Sequence, residues 1–185
     1  FRADAEAPAR QSQIGTLTPV LAHDGRDLAA AMQTIRAIGD GPALDQAIDD
    51  AFPGAKVRIQ CGERFTVVFS QHGLLRPLSA AELSDGTLRY LLWIAALLTP
   101  RPPSLMILNE PETSLHPDLL PALARLIQKA SMRTQVWVVS HASRMISALR
   151  DARNCNAIIL TKELGETAIE GQGLLDAPPW KWPER

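Results

Sequence analysis

Apolar residues recur along this chain in two different rhythms. In the first half Leu28, Met32, Ile35 and Ile38 fall on one face at helical spacing, which predicts a helix over 27–38. Gly39-Asp40-Gly41-Pro42 breaks it, Pro42 suits the start of the next helix, and Pro53-Gly54 ends that one. Residues 56–60 and 64–70 are rich in β-branched side chains and flank Cys61-Gly62-Glu63, so they predict an antiparallel hairpin. In the second half the pattern predicts a helix over 85–98, closed by Pro100-Arg101-Pro102-Pro103, and a strand over 105–109. A helix over 117–132, a strand over 135–140, a helix over 143–150 and a strand over 157–161 follow. After a turn at Leu164-Gly165-Glu166, residues 167–170 are placed to pair back.

Two short apolar strands joined by a helical crossover form a βαβ unit, whose strands are expected to be parallel and buried on both faces. The expected fold class is therefore α/β: a mostly parallel sheet flanked by helices, with an antiparallel hairpin on its N-terminal side. The chain reads as one lobe. It has an irregular lead (1–24), a section of helices and hairpin (25–75), a core (76–162), and a closing hairpin with a Trp/Pro tail (163–185).

Composition narrows the function little. With 46% apolar and 21% charged residues in 185, the chain can bury a real core. A net charge of −1 provides no global field toward nucleic acid or anionic lipid. The run Leu91–Leu98 is too short to span a bilayer, so no membrane is expected. Cys61 and Cys155 have no CxxC spacing and read as free thiols of a cytoplasmic protein. The four histidines show no zinc-like spacing. A first residue Phe1 suggests a piece of a longer protein.

Chemistry concentrates where the strands end. In open parallel sheets ligands bind beyond the carboxyl ends of the strands. Strand 105–109 ends at Asn109-Glu110 and strand 135–140 at Ser140-His141, so Glu110 and His141 are expected at one edge. Leu83-Ser84-Asp85-Gly86 opens the preceding helix with a good N-cap, Ser84, and a close-approach glycine, Gly86, which together suit an anion. Asp85 counts against a bare phosphate there.

These motifs carry a resemblance. Leu83-Ser84-Asp85-Gly86 resembles the signature motif of ABC-type ATPases, and Leu105–Glu110 their Walker B strand. Ser114-Leu115-His116-Pro117 is similar to their D-loop, and Ser140-His141 to their switch histidine. The order fits over residues 76–162. The wording Asn-Glu-Pro-Glu-Thr-Ser-Leu-His-Pro looks like the RecF/SMC-like AAA-type ATPases; transporter subunits typically show Leu-Asp where Leu115-His116 stands. The resemblance implies the C-terminal lobe of a P-loop NTPase that uses ATP and Mg²⁺. It implies Glu110 as the general base for the attacking water and His141 as the γ-phosphate sensor. Ser84, Asp85 and Gly86 would meet the nucleotide of the opposite protomer in a head-to-tail homodimer. Ser114 and His116 would line that interface, and Asn109 would stand at the magnesium position. DNA is an expected partner class. Glu112 acquires no role from the resemblance and reads as a solvated or interface carboxylate.

Two departures matter. The GxxxxGK[ST] loop that cradles phosphates is absent, since none of Lys56, Lys129, Lys162 and Lys181 lies in such a context. A partner lobe carrying that loop is therefore expected, and this chain alone is expected to be inactive. Asn109 stands where the family usually has aspartate, which leaves three readings: a hydrolysing ATPase, an ATP-dependent clamp with little hydrolysis, and, less favoured by the motif wording, a transporter subunit. Arg76, Arg89 and Arg101 flank the signature-like helix and read as solvated.

Overall fold

The computed structural model describes residues 1–152, 154–163 and 166–171. The chain divides into two compact units, Phe1–Leu149 and Arg150–Arg185. The first is built on helix α1 (Leu28–Ile38), α2 (Gly41–Ala51), strands β1 (Lys56–Cys61), β2 (Phe65–Ser70) and β3 (Leu78–Ser79), helix α3 (Asp85–Leu97), strand β4 (Leu105–Asn109), helix α4 (Leu120–Ser131), strand β5 (Gln135–Val139) and helix α5 (Ser143–Arg150), whose last residue opens the second unit. The second carries β6 (Leu160–Glu163) and β7 (Glu166–Ile169). The chain is α/β, as its patterning predicts.

Helix α3 occupies the middle of the core. Leu88, Tyr90, Leu91, Leu92, Ile94 and Ala95 are all fully buried, on every side of the helix. A helix apolar all round needs neighbours all round, and α3 has them in α1, α2 and α4. Burial pushes the Tyr90 phenol up. β1, β2 and β3 form an antiparallel sheet, with Lys56 opposite Ser70 and Cys61 opposite Phe65. Val57, Val67 and Phe69 seal its inner face.

The βαβ unit forms as expected: β4 runs parallel to β5, in register from Leu105 opposite Gln135 to Asn109 opposite Val139. Among the described residues, parallel pairing is confined to these two strands. Burial on both faces does not hold. Met106, Leu108, Val136 and Val138 face the helices, while Leu105, Ile107, Trp137 and Val139 lie exposed on the other side. The period-two alternation of a strand puts half of each apolar run on a face that no described element of the first unit covers.

Smaller differences have local causes. The helix expected over 117–132 opens as a 3₁₀ turn, Pro117–Leu119, before α4 begins with Pro121 in its first turn. The strand expected over 157–161 starts at Leu160, which stands opposite Ile169 of β7. The Trp/Pro tail lies outside the described residues.

The lead over 1–24 is irregular apart from a 3₁₀ turn at Pro8–Arg10 and an isolated bridge from Gln13 to Phe65, yet it is fastened to the core. Ala3, Ala7 and Ala9 are buried, and the Arg10 side chain is only 9% exposed. Arg10 donates to the carbonyls of Ala3, Asp4, Ala80, Ala81 and Leu83, and to the Asp85 carboxylate at 2.5 Å. One side chain thus ties the lead to the segment before α3. Next to it a capping box joins Ser79 and Glu82. The Arg76 guanidinium, with the Ser79 N–H and hydroxyl, holds the Glu82 carboxyl down at about 2. Arg76 is therefore paired rather than simply solvated. Arg10→Met keeps the length and removes every donor, stranding several carbonyls. It is expected to lower stability by about 2–3 kcal/mol, read as a lower urea midpoint at unchanged slope.

Candidate functional site

Strands that run the same way end at the same edge, and here the edge is tied shut. The Glu110 N–H extends the ladder by donating to the Val139 carbonyl at 2.8 Å. Beyond that bond the two chains diverge, and the side chains of Glu110 and His141 face each other, with His141 Nδ1 3.7 Å from Glu110 Oε1. Both are open to solvent, Glu110 at 50% and His141 at 77% side-chain exposure. This is ion-pair reach for a protonated imidazole. An acid and an imidazole at an open sheet edge can polarise a water and contact an anionic ligand.

After Glu110 the backbone turns sharply. Glu110 and Ser114 both sit in the left-handed region, at φ 44° and 63°, which non-glycine residues adopt at a cost. Turn bonds from Thr113 N–H to the Glu110 carbonyl and from Leu115 N–H to the Glu112 carbonyl close the loop. Helix α3 braces it from below. Arg89 donates to the Thr113 carbonyl at 3.1 Å, and the Trp93 indole to the Pro111 carbonyl at 3.0 Å. Arg89 is therefore committed to this loop rather than solvated. A Cβ on Gly86 would stand 3.0 Å from the Ser114 carbonyl oxygen, so any larger residue here would have to push the loop back by a few tenths of an ångström.

Glu112 is the residue that sequence patterning misjudges. It is neither solvated nor at an open surface: its side chain is 8% exposed. Its Oε1 accepts from the Ser140 hydroxyl at 2.6 Å, the His141 N–H at 3.1 Å and the Ala142 N–H at 3.3 Å. Burial alone would push this carboxyl up, but the Ser140 hydroxyl and the backbone N–H groups around it hold it below the usual carboxylate range. Its other oxygen, Oε2, is buried without a partner. Two of its three donors are backbone N–H groups, which residue types do not reveal.

The start of α3 is close to this loop but makes its own bonds. Ser84 caps the helix, accepting from the Thr87 N–H at 3.1 Å, and the two hydroxyls lie 2.8 Å apart. Asp85 is held by Arg10, which offsets the negative charge that argued against an anion here. Ser114 and His116 are exposed on the loop. His116 Nδ1 caps the 3₁₀ turn by accepting from the Asp118 N–H at 3.3 Å, and Asp118 in turn meets Arg144 at 3.0 Å. The structure thus brings Glu110 and His141 together and packs Gly86 on Ser114. It leaves Ser84 and Asp85 bonded to their own neighbours.

Asn109 is exposed at the tip of β4. Magnesium takes oxygen ligands in octahedral geometry and keeps several waters. Among the described residues no three His, Cys, Asp or Glu side chains converge to hold a metal. A neutral amide oxygen beside the Glu110 carboxylate fits an ion carried chiefly by a ligand's phosphates. A concavity of about 630 Å³ between α1, α2 and β1, lined by Arg36, Asp45, Lys56 and Arg58 among others, contains none of these residues.

Comparison with known proteins bears on family and fold. The sequence profile of the family described as "AAA domain, putative AbiEii toxin, Type IV TA system" matches residues 6–143. No curated protein matches the chain. Among solved structures the chain is similar to an SMC ATPase from work on ATP-driven dimerization and DNA-stimulated activation. That match has 16% identity and a TM-score of 0.59, over 78% of this chain and 89% of that one. It is similar to the Smc head domain with a coiled coil and joint from Pyrococcus yayanosii, at 16% identity and TM-score 0.59, over 78% of this chain and 28% of that one. It is also similar to the SMC head domain from Thermotoga maritima, at 19% identity and TM-score 0.54, over 77% and 50%. At such identities the likenesses establish the fold. The chain belongs to this AAA domain family, and its fold is that of the SMC-like P-loop NTPases.

Proposed function

We propose that the chain is the part of an SMC-like ATPase that brings acid, imidazole and signature-type helix to ATP, within a head-to-tail homodimer. The observation that carries this reading is the meeting of Glu110 and His141 at the common edge of β4 and β5. Glu110 takes the proton of the attacking water, a role worth about 10²–10⁴-fold in rate. His141 contacts the γ-phosphate. Ser84 and Gly86, at the start of α3, contact the γ-phosphate of the nucleotide held by the opposite protomer. Asp85 stands between them with its charge offset by Arg10. Ser114 and His116 border that interface from the exposed loop. When bound, magnesium would neutralise phosphate charge; Asn109 would hold it through its amide oxygen.

The phosphate-cradling loop comes from outside the 185 residues, in a lobe that this chain lacks. The sequence supports that through its missing GxxxxGK[ST] pattern. The apolar side of β4 and β5 that no described residue of the first unit covers, where Ile107 and Trp137 stand more than half exposed, supports it further. DNA is the partner class we favour, given the DNA-stimulated SMC ATPases that share the fold. A second reading, an ATP-dependent clamp with little hydrolysis, is favoured by Asn109 alone, which lacks the charge of an aspartate.

Three measurements test this. Titrating ATP into the 185-residue chain is expected to give no micromolar binding isotherm; a clear one would place the phosphate cradle inside this chain. In the full-length protein Glu110→Gln is expected to cut ATP turnover by about 10²–10⁴-fold while leaving ATP binding in place. Turnover at the wild-type rate would remove Glu110 from the chemistry. Asn109→Asp is expected to raise turnover or lower the magnesium concentration for half-maximal rate. A wild-type protein with negligible turnover, revived by Asn109→Asp, would establish the clamp.

A further inference from the structure

Glu112 has no part in the chemistry just described, yet it is the most deeply buried carboxylate near it. Glu110 and His141 are exposed by half or more, whereas the Glu112 side chain is exposed by 8%. Solvated reactive groups pivot freely unless something fixes the chain beneath them. Three donors from three consecutive residues, Ser140, His141 and Ala142, converge on one oxygen, Glu112 Oε1. Ser140 Oγ also accepts from the Ala142 N–H at 3.1 Å, so the exit of β5 is folded around that carboxylate.

The mount of Glu112 is rigid in turn. Pro111 before it and Thr113 after it have their carbonyls held by Trp93 and Arg89 of α3. Its own carbonyl accepts from Leu115 N–H. The exits of β4 and β5 are therefore joined twice, by the backbone bond from Glu110 to Val139 and by the Glu112 side chain. The Glu110–His141 approach lies between these two fastenings. With both in place, the backbone beneath acid and imidazole is fixed on both strands.

We propose that Glu112 is a positioning residue: it fixes the Ser140–His141–Ala142 turn so that the imidazole of His141 stands opposite Glu110. The role rests on the ATPase reading above for its effect on turnover, though not for its effect on the turn. All three hydrogen bonds are donated to Oε1, so the turn needs an acceptor oxygen at that position; the His141 imidazole, whose Nδ1 lies 3.7 Å from the same oxygen, makes no hydrogen bond to it. A glutamine presents the same oxygen; an alanine presents none.

The test uses the full-length protein with Glu112→Gln, Glu112→Ala and Ser140→Ala. Two readouts are taken well below the unfolding midpoint. One is the hydrogen-exchange protection of the His141 and Ala142 amides, which needs no catalysis. The other is the split between kcat and KM for ATP. Glu112→Ala is expected to lose protection at both amides and to drop kcat by about 10–100-fold with KM changed by less than about twofold, as small misplacements do. Glu112→Gln is expected to keep both protection and kcat within about threefold, a difference below 1 kcal/mol. Ser140→Ala, which removes one donor of three, is expected to fall between them and serves if the alanine variant at 112 does not fold. Unchanged protection in Glu112→Ala, or equal damage from glutamine and alanine, would overturn the proposal. If wild type and Glu110→Gln both fail to turn over ATP, the ATPase reading fails, while the amide readout still decides the role of Glu112.

Discussion

The parallel register of β4 with β5 is the constraint on which the site depends. A parallel pair sends both chain ends to one edge, and a slip of one residue would move every side chain to the opposite face. In this register Asn109 lies beside Val139, Glu110 donates to Val139, and everything after them is forced alongside Ser140–Ala142. The crossover helix α4 makes the register possible by carrying the chain back to the start of β5. The buried face, Met106, Leu108, Val136 and Val138, pins the pair to the helices. The edge that carries Glu110 and His141 is thus placed by core packing several residues away.

A second constraint acts at right angles to the sheet. Helix α3, buried on all sides, has one end at the loop after β4 and bonds to that loop along its length through Arg89 and Trp93. Its start is held from the other side by Arg10, through the carbonyls of the preceding turn and the Asp85 carboxylate. The segment Pro111–Ser114 is clasped between this helix and the β5 exit. Glu110 and Ser114, at its two ends, persist in left-handed conformation because so many surrounding bonds determine the turn.

Much of this was legible in the residues. Strand β4 and helix α5 have the bounds that patterning predicts, and the pairing direction of β4 and β5 follows from the helical crossover between them. The convergence of Glu110 and His141 follows from that direction. Three features escaped. Burial on both faces of β4 and β5 was expected because continuous apolar runs usually mean it; what covers a face depends on chain or partners that local patterning does not contain. Arg10 was lost in a stretch with no periodicity, since its acceptors are backbone carbonyls some 70 residues away, and carbonyls leave no mark in a sequence. Glu112 looked like a surface carboxylate because its partners are mostly main-chain N–H groups, equally invisible to composition. Side chain to side chain chemistry can be guessed from residue types, whereas side chain to backbone chemistry needs the fold.

The contact between Gly86 and Ser114 has a mechanical consequence. Where helices meet loops through long side chains, rotamer changes absorb displacements of an ångström or so before the backbone responds. Here the Gly86 backbone lies so near the loop that a single added methyl group would stand 3.0 Å from the Ser114 carbonyl oxygen. The first turn of α3 and the turn that follows Glu110 therefore have little slack between them, and neither has room to move toward the other.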